Sequence, residues 1–111
     1  MKKQLRIKDE TIEVELVSSI FGKARGLMFS KRKNLLFLFD KKQKVSLHMF
    51  FVFYPILVLF LDKNNCVVEK AILKPFTLYT PKHASNRVLE IAEDIEKFNA
   101  EIRIGSCLRV L

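Results

Sequence analysis

Glycine, proline, tryptophan and cysteine are all scarce in this chain of 111 residues, which has three Gly, three Pro, two Cys and no Trp. Three glycines are too few for a glycine-rich phosphate loop, so nucleotide hydrolysis of the P-loop kind is excluded. The same scarcity excludes collagen-like and low-complexity chains, and two cysteines exclude a disulfide-dense mini-protein. Half of the residues are apolar and ten are Phe, which is enough to build a hydrophobic core.

The two cysteines, Cys66 and Cys107, are far apart and have no second Cys or His at the spacing of metal ligands. A zinc site is therefore not supported, and the sequence predicts neither a metal nor a cofactor. The spacing leaves open whether the two cysteines meet. The default expectation is two free, buried thiols in a reducing compartment. No apolar stretch follows the basic N-terminal residues as it does in a signal peptide, so the expected location is the cytoplasm.

The net charge of +8 is concentrated in the first part of the chain. Residues 1–44 hold twelve Lys/Arg against five Asp/Glu, whereas residues 45–111 hold eight against seven. A positive field of this kind attracts phosphates, anionic lipid or acidic proteins. The alternative is that these side chains are solvated turn residues that keep a Phe-rich protein soluble. The candidate basic patch consists of Lys31, Arg32, Lys33, Lys41, Lys42 and Lys44.

Residues 45–61 form a run of seventeen without a formal charge, which is the shortest length that can span a bilayer. Ser46, His48 and Pro55 interrupt the run, and lysines flank it on both sides. Its Val, Phe, Tyr and Ile content favours strands. The sequence therefore predicts strands here and no transmembrane span.

Apolar periodicity predicts strands along most of the chain. The expected strands cover residues 5–7 and 11–17 as a hairpin, then 35–39, 45–54, 56–61, 67–73, 87–91 and 102–110. A helix is expected over 18–29, with Gly26 in a left-handed terminal position, and a second short helix carries Ala92, Ile95 and Phe98. Residues 74–84 are expected to be irregular. These elements predict one mainly β domain over residues 1–111, a sandwich or barrel-like fold with one or two short helices.

A series of motifs resembles the domain of unknown function 192 family. The series begins with Ala-Arg-Gly-Leu-Met-Phe at 24–29 and the apolar run 35–39. It continues with His-Met-Phe-Phe at 48–51, Tyr-Pro-Ile at 54–56, Leu-Phe-Leu-Asp at 59–62 and Val-Val at 67–68. It closes with Val-Leu-Glu-Ile at 88–91 and Ile-Arg-Ile-Gly at 102–105. The resemblance covers residues 10–111. It implies a compact, mainly β, sandwich-like fold in a widespread prokaryotic family without an established activity.

The chain departs from the family pattern at several polar positions. Leu57 stands where members usually carry an acid, and Ser106 stands where they commonly carry Asp. Phe50 and Phe51 replace a basic residue and an Asn. The resemblance thus implies that the chain keeps the apolar positions of the family but lacks several side chains of any polar site. This makes catalysis a less favoured expectation.

Five residues are candidates for ligand binding: Arg25, Met28, His48, Met49 and His83. Arg25 can present a guanidinium to a carboxylate or phosphate, or it can pair with a structural acid. Each histidine can act as a general base, or can be an ordinary hydrogen-bonded boundary residue. The methionines can line a ligand slot or fill gaps in the core.

The favoured function is a non-catalytic binding module for an anionic small molecule or an acidic protein surface. One alternative is a membrane-associated or oligomerising protein that uses the apolar run 45–61. Another is a small hydrolase-like enzyme that uses His83 or His48 with Arg25. Nucleic-acid binding is disfavoured, because it needs exposed aromatic rings among the basic residues and the phenylalanines are expected to be buried.

Overall fold

The computed structural model of the protein describes residues 2–18 and 26–111. It contains nine strands and one helix within those ranges. In chain order they are β1 (Lys2–Ile7), β2 (Glu10–Val17), β3 (Leu35–Gln43), β4 (Leu47–His48), β5 (Ile56–Leu61), β6 (Val67–Leu73), β7 (Leu78–Tyr79), β8 (Ser85–Ile91), α1 (Ile95–Glu101) and β9 (Arg109–Val110).

Seven strands form one sheet in the order β6-β5-β8-β3-β2-β1-β9, and the sheet curls into a half-barrel. Its neighbouring strands are antiparallel, except for β2 and β3, which run parallel. The two short strands β4 and β7 pair separately. This arrangement confirms the mainly β, barrel-like fold with a short helix that the sequence predicts.

The sheet has an apolar core on each face, which explains its unbroken apolar strands. All six residues of β5 are buried, because their side chains alternate between the two cores. Helix α1 covers the first core with Phe98, and Leu57 belongs to that core. The loops around Leu27, Met49 and Val52 cover the second core.

Most of the predicted elements are confirmed. The β1–β2 hairpin, the β5–β6 hairpin and helix α1 lie where the periodicity places them. In the turn between β5 and β6, Asp62 Oδ1 accepts hydrogen bonds from the amides of Asn64 (2.8 Å) and Cys66 (3.0 Å). Most of the helix predicted over 18–29 lies outside the described residues. Gly26 has the expected left-handed φ of 51°, within a turn.

Two strand predictions are wrong. Of residues 45–54 only Leu47–His48 is a strand, since left-handed backbone at Phe51 interrupts the extended conformation. Of residues 102–110 only Arg109–Val110 is a strand. Gly105, with a φ of 95°, forms a turn in which the amide of Ser106 donates to Arg103 O. Both segments alternate in hydrophobicity, but their apolar side chains face water in part.

The expectation of two free thiols is also wrong, because Cys66 and Cys107 form a disulfide. Their segments meet through the antiparallel bridge that these two residues make. The run 45–61 contains β4, β5 and the loop between them, and no helix, so only its second part is the continuous strand that the sequence predicts. Across residues 2–18 and 26–111, no helix combines the length and the apolar character that crossing a bilayer requires.

Candidate functional site

Three loops meet at one end of the second core and expose phenylalanine rings to solvent. They are residues 26–34 before β3, residues 49–55 before β5 and residues 74–77 before β7. Phe29 and Phe53 have exposed fractions of 65% and 63%, and Phe51 and Phe76 are also exposed. We call these four side chains the phenylalanine patch. Exposed apolar clusters are unusual on a monomer and mark interaction sites.

The four rings of the patch form a closed circuit of contacts. Phe29 stacks on Phe51, with ring centroids 4.7 Å apart, and Phe51 meets Phe76 edge-on at 6.0 Å. Phe76 meets Phe53 edge-on at 5.5 Å, and Phe53 lies 6.5 Å from Phe29. These are favourable aromatic geometries, so the rings hold one another in place although they face water.

The backbone of the patch is strained and strongly hydrogen-bonded. Phe29, Phe51 and Phe76 have φ values of 55°, 59° and 60°, a left-handed conformation that costs a bulky residue roughly 1–2 kcal/mol. The amide of Phe29 donates to Phe51 O (2.9 Å), and that of Phe76 donates to Met49 O (2.8 Å). The loops are thus tied together, and the rings at these left-handed positions are exposed. Strain of this kind concentrates at functional positions.

Cations border the patch. Lys31 and Arg32 follow Phe29, and Lys74 precedes Phe76 by two residues. Tyr54, next to Phe53, fixes the first pair: its hydroxyl donates to Ser30 O (3.0 Å) and Lys31 O (3.1 Å), and Arg32 lies over its ring. Segments 26–34, 45–56 and 74–80 contain no Asp or Glu. The patch is therefore apolar at its centre and positive at its edge.

The candidate basic patch divides into two groups. Lys31, Arg32 and Lys33 precede β3, whereas Lys41, Lys42 and Lys44 lie at or just beyond its far end. At about 3.3 Å per residue, the nine-residue strand separates the groups by roughly 25 Å. Lys33 makes an ion pair with Glu15 (3.2 Å). The first group follows Phe29 of the phenylalanine patch within four residues of the chain.

An apolar pocket with a volume of about 200 Å³ opens beside the patch. Its walls come from the sheet face and from the loops at 26–27 and 45–52. The apolar lining consists of Leu27, Phe37, Phe39, Val45, Leu47, Met49, Val52 and Val88. Ser46, His48 and Glu90 contribute polar groups.

Glu90 is the buried charge of this pocket. It lies on β8 between Leu35 of β3 and Val58 of β5, and only 7% of it is exposed. Its Oε1 lies 4.0 Å from where a side chain at Gly26 would begin. No described residue donates a hydrogen bond to its carboxylate. Burial raises the pKa of Glu90 to about 7, since the charged form loses its hydration.

The structure brings two of the five predicted ligand residues to the pocket. His48 and Met49 line it, with Met49 buried and His48 exposed. His48 Nδ1 accepts a hydrogen bond from the amide of Phe50 (3.3 Å) and its ring stacks on Phe50. Met28 is half-buried and does not line the pocket. Arg25 lies outside the described residues.

His83 belongs to a different cluster, around the buried carboxylate of Glu69 on β6. His83 Nδ1 lies 2.9 Å from Glu69 Oε1, and the amides of Lys82 and His83 donate to the same carboxylate. The Tyr79 hydroxyl donates to Glu69 Oε2, and this bond, with burial, raises the pKa of Tyr79 to about 12. Burial would raise the pKa of Glu69, but these hydrogen bonds outweigh it and lower the value. The cluster anchors the loop after β7 to the sheet.

The described residues contain no group of three or more His, Cys, Asp and Glu side chains that could hold a metal ion. The departures from the family pattern lie apart from one another. Leu57 is fully buried in the first core, and Ser106 lies in the turn after α1, where its Oγ accepts from the amide of Arg103 (3.1 Å). Phe50 and Phe51 lie in the loop before β5, where Phe50 stacks on His48 of the pocket and Phe51 belongs to the phenylalanine patch.

A family model described as "Uncharacterized ACR" and named DUF192 matches residues 3–110. The chain belongs to the DUF192 family. This confirms the resemblance that the motifs indicate and extends it to almost the whole chain.

DUF192 relatives occur among archaea. A UPF0127 protein of Pyrococcus horikoshii is 38% identical over 81 residues, which are 70% of each chain. A UPF0127 protein of Thermococcus sibiricus is 32% identical over 97 residues, which are 83% of this chain and 63% of the relative. The chain thus spans less than two thirds of the Thermococcus relative, and neither name assigns an activity.

Two solved structures share the fold. A protein of Sinorhizobium meliloti, named as a candidate transcription regulator, superposes with a TM-score of 0.88 at 20% identity, over 99% of this chain and 94% of that one. A protein of unknown function from Novosphingobium aromaticivorans superposes with a TM-score of 0.76 at 18% identity, over 97% and 83%. At these identities the likeness shows a shared fold and nothing more.

Sequence reasoning missed the most conspicuous features of this DUF192 protein. The exposed rings, Phe29 among them, were expected to be buried, since an apolar residue gives no local sign that it faces water. Glu90 could have been identified from the sequence, because it is a single acid in the apolar run of a strand that is predicted to be buried. An acid at such a position either has a partner or has a function.

Proposed function

We propose that this protein is a non-catalytic binding module that docks its phenylalanine patch on an anionic lipid surface. The observation that carries the proposal is the closed circuit of four exposed rings with cations at its edge. Lys31, Arg32 and Lys74 supply the charge. The proposal combines the anionic partner and the membrane association that the sequence leaves as alternatives.

The apolar part of the interaction comes from the rings. Full burial of a Phe side chain is worth about 1.5–3 kcal/mol, and the four rings of the patch are each more than two fifths exposed. Phe has no hydroxyl or indole N–H that needs a hydrogen-bond partner, so it suits the boundary between headgroups and acyl chains.

Hydrogen bonding of the loop backbone also supports a lipid surface as the partner of the patch. The amides of Phe29, Met49, Val52 and Phe76 all donate to carbonyls within the loops. Entry of the loop tips into the bilayer interface therefore leaves these donors satisfied, which a low-polarity environment requires. A protein partner can supply hydrogen-bond acceptors of its own, whereas acyl chains cannot, so the internal satisfaction of these amides supports lipid as the partner.

The electrostatic part comes from the edge of the patch. Each Lys or Arg near an anionic membrane surface contributes about 1 kcal/mol, and three such residues border the rings without an acid in the same segments. Neither burial of the rings nor attraction of the cations gives stable attachment alone. Together they supply a binding free energy of the size that peripheral membrane proteins use. Binding is expected to weaken as salt rises.

Co-sedimentation of the full chain with vesicles tests the proposal. We expect binding to mixed phosphatidylcholine and phosphatidylserine vesicles and weaker binding to phosphatidylcholine alone. The double variant Phe29→Ser, Phe53→Ser should bind roughly tenfold less. Ile104→Ser is the matched control, because Ile104 is 64% exposed but lies in the turn after α1; its binding should equal that of the wild type.

Two double charge-reversal variants distinguish the effect of the cations beside the patch from the effect of the net charge of the protein. Lys31→Glu with Lys74→Glu should abolish the preference for anionic vesicles, whereas Lys41→Glu with Lys42→Glu changes the net charge equally and should have a smaller effect. If both variants lost the preference for anionic vesicles equally, the cations beside the patch would have no special role in binding. Absence of vesicle binding, or an oligomer in buffer that dissociates in Phe29→Ser, Phe53→Ser, would assign the patch to another partner and overturn the proposal.

A further inference from the structure

The pocket beside the patch contains a carboxylate that the docking proposal does not use. Glu90 is more than nine-tenths buried and faces a volume of about 200 Å³. Its strand neighbours are the apolar Leu35 and Val58. Elsewhere in the core the protein satisfies a buried carboxylate completely, as it does at Glu69 with four donor groups. The contrast shows that the fold can supply donors to a buried carboxylate, whereas residues 2–18 and 26–111 supply none to Glu90.

A carboxylate in this position costs stability unless something compensates it. An unpaired buried charge is among the most unfavourable groups in a folded protein, and it either neutralises or meets a counter-charge. A residue that lowers stability and faces a cavity is a candidate for function. Within the described ranges, no cation or hydrogen-bond donor compensates the Glu90 carboxylate.

We propose that the pocket binds a small organic amine, with the ammonium group paired to Glu90 and the apolar part against Leu27 and Met49. The acid repels anionic ligands, and a neutral hydrocarbon would leave the carboxylate uncompensated. An apolar cavity of roughly 150 Å³ accommodates benzene. The volume therefore fits an amine that carries a ring or a short alkyl chain.

The proposal stands independently of lipid docking. The rings of the patch do not line the pocket, and Glu90 does not contribute to the patch. Lipid binding can therefore fail while amine binding holds, and the reverse is equally true. The variant Phe29→Ser, Phe53→Ser should bind an amine as the wild type does.

Amide NMR titrations of the full chain at pH 8 with three probes of the same shape test the proposal. The probes are benzylamine, benzyl alcohol and benzoate. Benzylamine should shift the amide signals of Gly26, Leu27, Met49 and Glu90, with an affinity at least about tenfold higher than that of benzyl alcohol. Benzoate should leave these signals unchanged.

Two variants complete the test. Glu90→Gln keeps the shape of the side chain and removes its charge, so benzylamine should lose its advantage over benzyl alcohol. Glu93→Gln makes the same change on an exposed carboxylate and should keep that advantage. Equal binding of benzylamine and benzyl alcohol, an unchanged preference in Glu90→Gln, or no shift with benzylamine at millimolar concentration would each overturn the proposal.

Discussion

Cys66 and Cys107 form a disulfide that fastens the C-terminal segment to the β5–β6 hairpin. Backbone hydrogen bonds surround the bond on both sides. The amide of Val67 donates to Ser106 O (2.8 Å), and the amide of Leu108 donates to Asn65 O (2.9 Å). The covalent link therefore joins two segments that are already paired. The cytoplasmic location expected from the sequence stays a prediction.

Removal of this disulfide should lower the free energy of unfolding by about 4 kcal/mol. The bond closes a loop with a sequence separation of 41, and constraint of the unfolded chain is worth roughly this amount for a loop of that length. Urea denaturation of Cys66→Ser, Cys107→Ser measures it. The wild type treated with reductant should shift by the same amount. A loss below 1 kcal/mol would show that the surrounding hydrogen bonds hold the two segments together without the disulfide.

Stability should fall as pH rises from about 4.5 to about 7 because of Glu90. Its pKa is about 7 in the native state against 4.5 in the unfolded chain, so the native state retains the proton longer and is favoured at the lower pH. The loss reaches about 3 kcal/mol above pH 7. Glu90→Gln should therefore be more stable than the wild type at pH 8 and nearly equal at pH 4.5.

Paired denaturation curves at pH 4.5 and pH 8 measure this effect. Glu93→Gln serves as control and should follow the wild type at both values. Of the other titratable groups near Glu90, His48 lines the same pocket, and Tyr54 feels the charge of Glu90 together with that of Arg32. His48→Gln should keep the difference between the two pH values. If the stability difference between pH 4.5 and pH 8 disappeared in His48→Gln, the effect would belong to the histidine and not to Glu90.

Glu69 should have the opposite pH dependence. Its pKa lies below the usual value, so its contribution is present above about pH 4.5 and is lost as pH falls through the native pKa. Glu69→Gln should destabilise the protein at pH 6 and have less effect at pH 3. Hydrogen exchange of the Lys82 and His83 amides should accelerate, since both donate to this carboxylate. Unchanged exchange would contradict the anchoring role.

Lys70 should stabilise the end of helix α1. Its Nζ donates to Asn99 O and Ile102 O, both at 2.8 Å, where helix carbonyls lack partners. Lys70→Met should cost about 2 kcal/mol in thermal or urea unfolding, in the range for hydrogen bonds to charged groups. Lys63→Met removes an exposed lysine from the β5–β6 turn and should be neutral. Equal effects of the two variants would refute the capping role.

Local patterns predict much of this fold. The alternation of Ile12, Val14 and Leu16 with acids identifies β2, because successive side chains in a strand face opposite sides. The unbroken apolar run of β5 identifies a strand buried on both faces, and Asp62 identifies the following turn. Each of these inferences depends on neighbours within a few residues, which the sequence displays directly.

Contacts between distant segments account for the rest. Phe51 and Phe53 lie in an alternating apolar run, yet their exposure depends on loops more than twenty residues away and on a left-handed backbone. The pairing of Cys66 with Cys107 likewise depends on how the C-terminal turn meets the β5–β6 hairpin.

The sequence by itself determined the mainly β class, the hairpins and the family. It did so because side-chain periodicity and turn chemistry act locally. Only the tertiary structure decided which apolar side chains face water and which buried carboxylate receives no hydrogen bond from the described part of the chain. Burial and hydrogen bonding at Phe29 or Glu90 are set by segments that the chain brings together only when it folds.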